Sequence, residues 1–156
     1  MRREASRPRR YAILADGWFA NRHAKTAHGL LRYGRDEVVC VIDSSLAGRR
    51  VLEVMPQLGR DAPIVGSVRE ALELGPTSVL VGLAPAGGRL PEDWMRSLRA
   101  ASDAGLEIVS GLHERLAPRF PGRPVWDVRE PPEGIPLFSG EAFGVEPRVV
   151  LTVGTD

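Results

Sequence analysis

The chain has 156 residues, 43 % of them hydrophobic, which is enough for one domain with its own core. Its 21 basic and 20 acidic residues leave a formal net charge of +1, against the basic surplus or stripe of a non-specific nucleic-acid binder. The single cysteine, Cys40, excludes an internal disulfide and a cysteine-based zinc pattern; no stretch is long enough for a membrane span and the N-terminus lacks the apolar core of a signal peptide, so a cytoplasmic protein without a membrane partner is the expectation.

Residues 1–10 carry five arginines and one glutamate and read as a disordered, soluble tail. The apolar run at 11–15 is a buried strand. An irregular segment over 16–23 leads to a helix over 24–33, with Ala24, Ala27, Leu30 and Leu31 on one face and Gly34 as its stop. Residues 37–42 form a second buried strand, with Cys40 inside it as a small hydrophobe, and 62–66 a third. Ser67 caps a helix over 68–74, with Glu70 at the capping-box position and Gly75 as the stop. A fourth strand covers 78–83, and the loop "APAGG" follows it. A helix runs from Pro91 to Ala104 and closes at Gly105. The fifth strand, 107–111, precedes a short helix over 113–116, and the sixth covers 124–128.

Strands alternate with helices, and each strand is a continuous apolar run. Both features predict a doubly wound, mainly parallel, three-layered Rossmann-like α/β domain over 11–130. Residues 131–148 are rich in Pro and Gly and read as a linker. Residues 149–156 look like the first strand of another α/β unit.

In such a fold, ligands sit at the carboxyl ends of the strands. The candidate site residues follow from that rule. Lys25 and Thr26 fall in the first turn of the first helix, where an anion is favoured. Lys25 is also the only lysine, all other basic side chains being arginine. The phosphate-loop glycines are absent, and so is a G-x-G-x-x-G fingerprint. Lys25 therefore reads either as an anion ligand or as a solvated lysine. His28 and His113 are candidate bases, with a structural histidine as the alternative for each. Asp43 ends the second strand, where a ribose hydroxyl is bound in dinucleotide folds; capping the next turn is the alternative. Gly87 and Gly88 follow the fourth strand and form either a ligand-facing nest or a plain turn. Gly111 and Arg129 follow the fifth and sixth strands. No metal site is predicted.

The ordered set "KTAHGLLRY", "VCVIDSSLAG", "VGLAPAGGRLP", "IVSGLHERL", "DVREPP", "FSG" and "VLTVGTD" resembles the DgcN-like family, from Tyr11 to Asp156. The resemblance implies a Rossmann-like domain followed by a P-loop NTPase-like domain, absent here beyond its first strand. It also implies D-glutamate N-acetyltransferase activity using acetyl-CoA. On that basis the chain is the ligand-binding N-terminal part of an acyltransferase for a small acidic substrate, inactive without its C-terminal domain. Lys25, His28 and Arg129 would then bind carboxylates or phosphates, and His28 or His113 would take the amine proton. Two other readings stand beside it. One is a regulatory module that binds a nucleotide or phosphate ligand. The other is a structural, homo-oligomeric domain with Trp18, Phe19, Phe138 and Phe143 as exposed apolar groups.

Overall fold

The computed structural model describes residues 8–83, 90–131, 134 and 140–144. Six strands form one sheet: β1 (Arg10–Leu14), β2 (Glu37–Ile42), β3 (Ile64–Val65), β4 (Ser78–Val81), β5 (Glu107–Ser110) and β6 (Val125–Asp127). Their order is β3-β2-β1-β4-β5-β6, and every pairing is parallel. Four α-helices accompany them: α1 (Lys25–Tyr33), α2 (Val51–Val54), α3 (Val68–Leu72) and α4 (Glu92–Asp103).

Alternating side chains of each strand feed two cores. Tyr11, Ile13, Val41 and Leu80 pack on one face with Ala27 and Leu31 of α1 and Val51 of α2. Ala12, Leu14, Ile42, Val79 and Ile108 pack on the other with Val68 of α3 and Trp94, Met95 and Leu98 of α4. The helices change face where the strand order reverses, between β1 and β4, so the chain is doubly wound and the reversal opens a crevice at the carboxyl edge. Cys40 is fully buried, and burial pushes its thiol up to about 12, which suits a small hydrophobe rather than a nucleophile.

The crevice is narrow at one point. A Cβ on Gly82 would stand 2.8 Å from the Leu14 carbonyl, 2.8 Å from an Ile13 methyl and 3.0 Å from Ala27 Cβ. Gly82 N–H donates to the Leu14 carbonyl (2.8 Å), and Ala27 N–H donates to the Gly82 carbonyl (3.1 Å). The Leu14 carbonyl is backbone and the Ala27 Cβ is fixed to it, so the crowding has little to relax into. Gly82→Ala is expected to destabilise the fold by about 1–3 kcal/mol, read from the denaturant midpoint at unchanged m-value.

Ser67 caps α3 as predicted: its Oγ accepts Glu70 N–H at 3.2 Å. The Glu70 carboxylate answers by accepting from Ser67 Oγ (2.8 Å) and from Gly66 N–H (3.0 Å). Those bonds, Gly66 N–H first, hold the Glu70 carboxyl below its ordinary value of 4.5. A depressed carboxyl contributes stability that is fully present above 4.5 and is lost as pH falls through the lower folded value. Melting temperature should therefore fall less steeply below pH 4.5 in Glu70→Gln than in the wild type, a comparison that thermal scans across that range make directly.

Two expectations are corrected. The helix expected over 113–116 is absent; a single 3-10 turn forms later, at Ala117–Arg119. The Asp127 carboxylate causes this by accepting Leu116 N–H and Ala117 N–H, both at 3.0 Å. Phe19 is not exposed but fully buried. α1 stops at Gly34 as expected, with Gly34 N–H donating to the Leu30 carbonyl from extended backbone. Gly87, Gly88, Phe138, the segment 149–156 and most of the linker 131–148 lie outside the described residues.

Candidate functional site at the carboxyl edge

β1 leads into a tight loop. Gly17 adopts φ 73°, a region glycine enters without a Cβ penalty, and this turns the chain back over the sheet. Asp16 Oδ1 accepts from Ser44 N–H (2.7 Å) and Ser44 Oγ (2.6 Å), and the Asp16 carbonyl accepts from Trp94 Nε1 (3.3 Å). Asp43 is fully buried. Its Oδ2 accepts Phe19 N–H (3.0 Å); its Oδ1 accepts Ser45 N–H (3.0 Å) and Ser45 Oγ (2.6 Å). Asp43 thus caps the turn Ser44–Leu46 and staples the β1 and β2 loops together, which is the capping alternative seen in the sequence.

His28 sits on α1 with its ring edge-on to Phe19, 5.6 Å between centroids. Its Nε2 lies 2.7 Å from the Phe19 carbonyl. A carbonyl only accepts, so Nε2 carries a hydrogen and donates. Lys25 and Arg129 are exposed, and Thr26 and Gly111 are half-buried. Arg129 Nε donates to the Gly111 carbonyl at 2.6 Å, joining the loops after β5 and β6.

Three clefts open along this edge, one of them beside β3 between α3 and α4, about 340 Å³, with Asp16, Gly66, Ser67, Arg69 and Arg96 in its lining. The one beside β1 and β2, about 290 Å³, is lined by Gly17, Phe19, Ala20, Asn21, Asp43, Ser45 and Leu46, without a cationic side chain. The one beside β5 and β6, about 380 Å³, is lined by Leu112, His113, Arg115, Asp127, Arg129, Glu130 and Pro131. The predicted residues therefore share one edge but not one pocket. Asp43 faces the cleft beside β1 and β2, His113 and Arg129 the one beside β5 and β6, while Lys25, Thr26 and His28 line none of the three.

Asp43 and Asp127 spend both oxygens on backbone N–H and serine donors, and Asp16 spends Oδ1 on Ser44. Among the described residues, Arg22, Lys25 and Arg129 have no carboxylate within ion-pair distance. At the opposite edge Arg9 pairs with Glu107 (2.6 Å), Arg10 with Glu37 (2.8 Å) and Arg123 with Asp103 (3.1 Å). Cations without a carboxylate partner stand at both edges, Arg22, Lys25, Arg69 and Arg129 at the carboxyl edge and Arg35 and Arg60 at the other, and the first four suit an anionic ligand. Ser44 and Ser45 lie in the stretch "VCVIDSSLAG"; the Ser45 contact with Asp43 is local, whereas that of Ser44 with Asp16 forms only once β1 and β2 align. Among the described residues no group of three or more His, Cys, Asp or Glu is placed to hold a metal ion, and no helix is long and apolar enough to cross a membrane.

The parallel order with its reversal between β1 and β4, and the clefts at the carboxyl ends, define a Rossmann-like α/β domain with a ligand-facing edge. The family described as a domain of unknown function, DUF1611_N, a Rossmann-like domain, matches residues 44–131. The chain belongs to that family. It is 31 % identical over 98 residues to a D-glutamate N-acetyltransferase of Pseudoalteromonas sp and 32 % identical over 100 residues to one of Tritonibacter scottomollicae; each match covers 58 % of this chain and 29 % of the relative. A crystal structure of a DUF1611 family protein from Anabaena variabilis ATCC 29413 superposes with a TM-score of 0.77 at 38 % identity, covering 87 % of this chain and 41 % of that one. The chain thus spans less than a third of the length of these curated relatives.

Proposed function

We propose that this chain is the ligand-binding, Rossmann-like part of an N-acetyltransferase that acts on a small acidic amino acid of the D-glutamate class. The observation that carries this reading is the carboxyl edge itself. Asp43 and Asp127 spend both carboxylate oxygens on internal donors, whereas Arg22, Lys25, Arg69 and Arg129 face no carboxylate among the described residues. The likeness to two D-glutamate N-acetyltransferases gives the anion a chemical class. In the reaction the amine nitrogen attacks the thioester carbonyl of acetyl-CoA, the C–N bond forms, the C–S bond breaks, and the amine proton passes to a base. Acetyl transfer in this reading also draws on the part of the relatives that this chain does not span, a phosphate-loop domain by the sequence resemblance.

The test is thiol release from acetyl-CoA in the presence of D-glutamate, measured on the full gene product. Release that depends on the amino acid is expected; none at any pH between mildly acidic and mildly alkaline would sink the reading. Calorimetry with a nucleotide gives the second arm. Saturable nucleotide binding without acetyl transfer would point to the regulatory module, a reading the crevice between β1 and β4 favours by its position.

A further inference from the structure

The geometry points to the cleft beside β5 and β6 as the subsite for the acid's carboxylate, with Arg129 as its clamp. This inference rests on the acyltransferase reading and narrows it to one of the three clefts.

The first step is exclusion. β1 and β6 are separated by β4 and β5, three strand spacings or about 14 Å. An extended five-carbon amino acid does not bridge that distance with both ends buried, so a single substrate occupies one cleft. The cleft beside β1 and β2 is lined by no cation. In the cleft beside β3, Arg96 is ion-paired to Asp93, and among the described residues no hydrogen bond fixes the guanidinium of Arg69. The cleft beside β5 and β6 is lined by Arg115, Arg129 and His113.

The second step separates the two arginines. Arg115 is ion-paired to Glu130, so its charge is answered within the cleft wall. Arg129 has no carboxylate partner among the described residues; its one hydrogen bond there is from Nε to the Gly111 carbonyl. That bond fixes the plane of the guanidinium and leaves both Nη groups as a fork, the geometry that matches a planar carboxylate. The backbone under Arg129 is also held: Val128 N–H donates to the Ser110 carbonyl (2.8 Å) and Glu130 N–H to the Asp127 carbonyl (3.0 Å). The remaining acid of the cleft, Asp127, has both oxygens bound to backbone N–H groups. Leu112, almost fully buried, supplies an apolar floor for the substrate's methylenes.

The experiment is a titration of the 156-residue chain, followed by amide NMR, with D-glutamate, D-glutamine and inorganic phosphate. D-glutamate is expected to move the amides of Gly111–Arg115 and Val128–Glu130. D-glutamine is expected to bind at least about tenfold more weakly, as is phosphate, and Arg129→Gln to weaken D-glutamate at least about tenfold. Arg129→Lys should fail to rescue, since an ammonium cannot keep the Gly111 contact and present a fork together. Shifts confined to residues 16–28 and 43–46, or undiminished binding by Arg129→Gln, would overturn the subsite while leaving the acyltransferase reading standing. Phosphate binding as tight as D-glutamate would make this a phosphate site and overturn the carboxylate assignment. No binding of D-glutamate would overturn the subsite as well, and the thiol-release assay on the full gene product then decides the wider reading separately.

Discussion

Asp43→Ala is expected to destabilise the domain by about 2–4 kcal/mol, the sum of a lost cap and a stranded donor. For a chain of this size that corresponds to a fall in melting temperature of roughly 5–15 °C. The reason is the donor set. Asp43 is fully buried and accepts from Phe19 N–H, Ser45 N–H and Ser45 Oγ. Removing the carboxylate leaves the Phe19 amide beside a buried side chain with no acceptor, and unties the β1 loop from the β2 loop. Asp43→Asn should recover little. All three neighbours donate, and an amide turns one of the two acceptor oxygens into a competing donor. Differential scanning calorimetry of the three proteins measures this. An unchanged melting temperature in Asp43→Ala would mean that the aspartate is held for a ligand and not for the loops.

The same residue shows where the sequence runs out. Its position at the end of a strand is legible, because the apolar run Glu37–Ile42 stops there and the observed strand has those bounds. What its oxygens do is not legible, because Phe19 lies 24 residues away and meets it only once β1 and β2 align. Asp127 repeats the pattern. Its capture of Leu116 N–H and Ala117 N–H replaces the helix that local pattern suggests over 113–116 with a later 3-10 turn. Short elements were hidden for a different reason. α2 has four residues, too few for a period of 3.6 to show. It depends on Glu53 accepting Arg50 N–H and on Asp61 accepting Leu52 N–H. Conversely, α1 and α4 lie within one or two residues of their expected bounds, since nine and twelve residues display an apolar face fully. The carboxyl edge was therefore readable as a place. Its division into separate clefts was not, because that follows from strand order, and no spacing along the chain encodes that β6 lies three strands from β1.

Division into clefts also separates the two candidate bases. Under the acyltransferase reading, His113→Gln in the full gene product is expected to lower kcat for acetyl transfer by about 10²–10⁴-fold, the usual range for loss of a general base. His113 lines the cleft that Arg129 lines, is exposed, and has no hydrogen-bond partner among the described residues, so its ring is free to turn toward an amine. His28 is placed otherwise. Its Nε2–H is bound to the Phe19 carbonyl and its ring packs on the Phe19 ring, so it serves the same loop that Asp43 holds. A glutamine at 28 keeps an N–H for that carbonyl while removing the imidazole, and His28→Gln should change kcat by less than about threefold. The signature expected of the pair is a split: His113→Gln lowers kcat with KM little changed, and Arg129→Gln raises KM more than it lowers kcat, because one group acts in the transition state and the other in both states. Steady-state kinetics with the amino acid varied at saturating acetyl-CoA resolves it. A large loss of kcat in His28→Gln with His113→Gln unaffected would move the chemistry across β4 to the crevice beside β1.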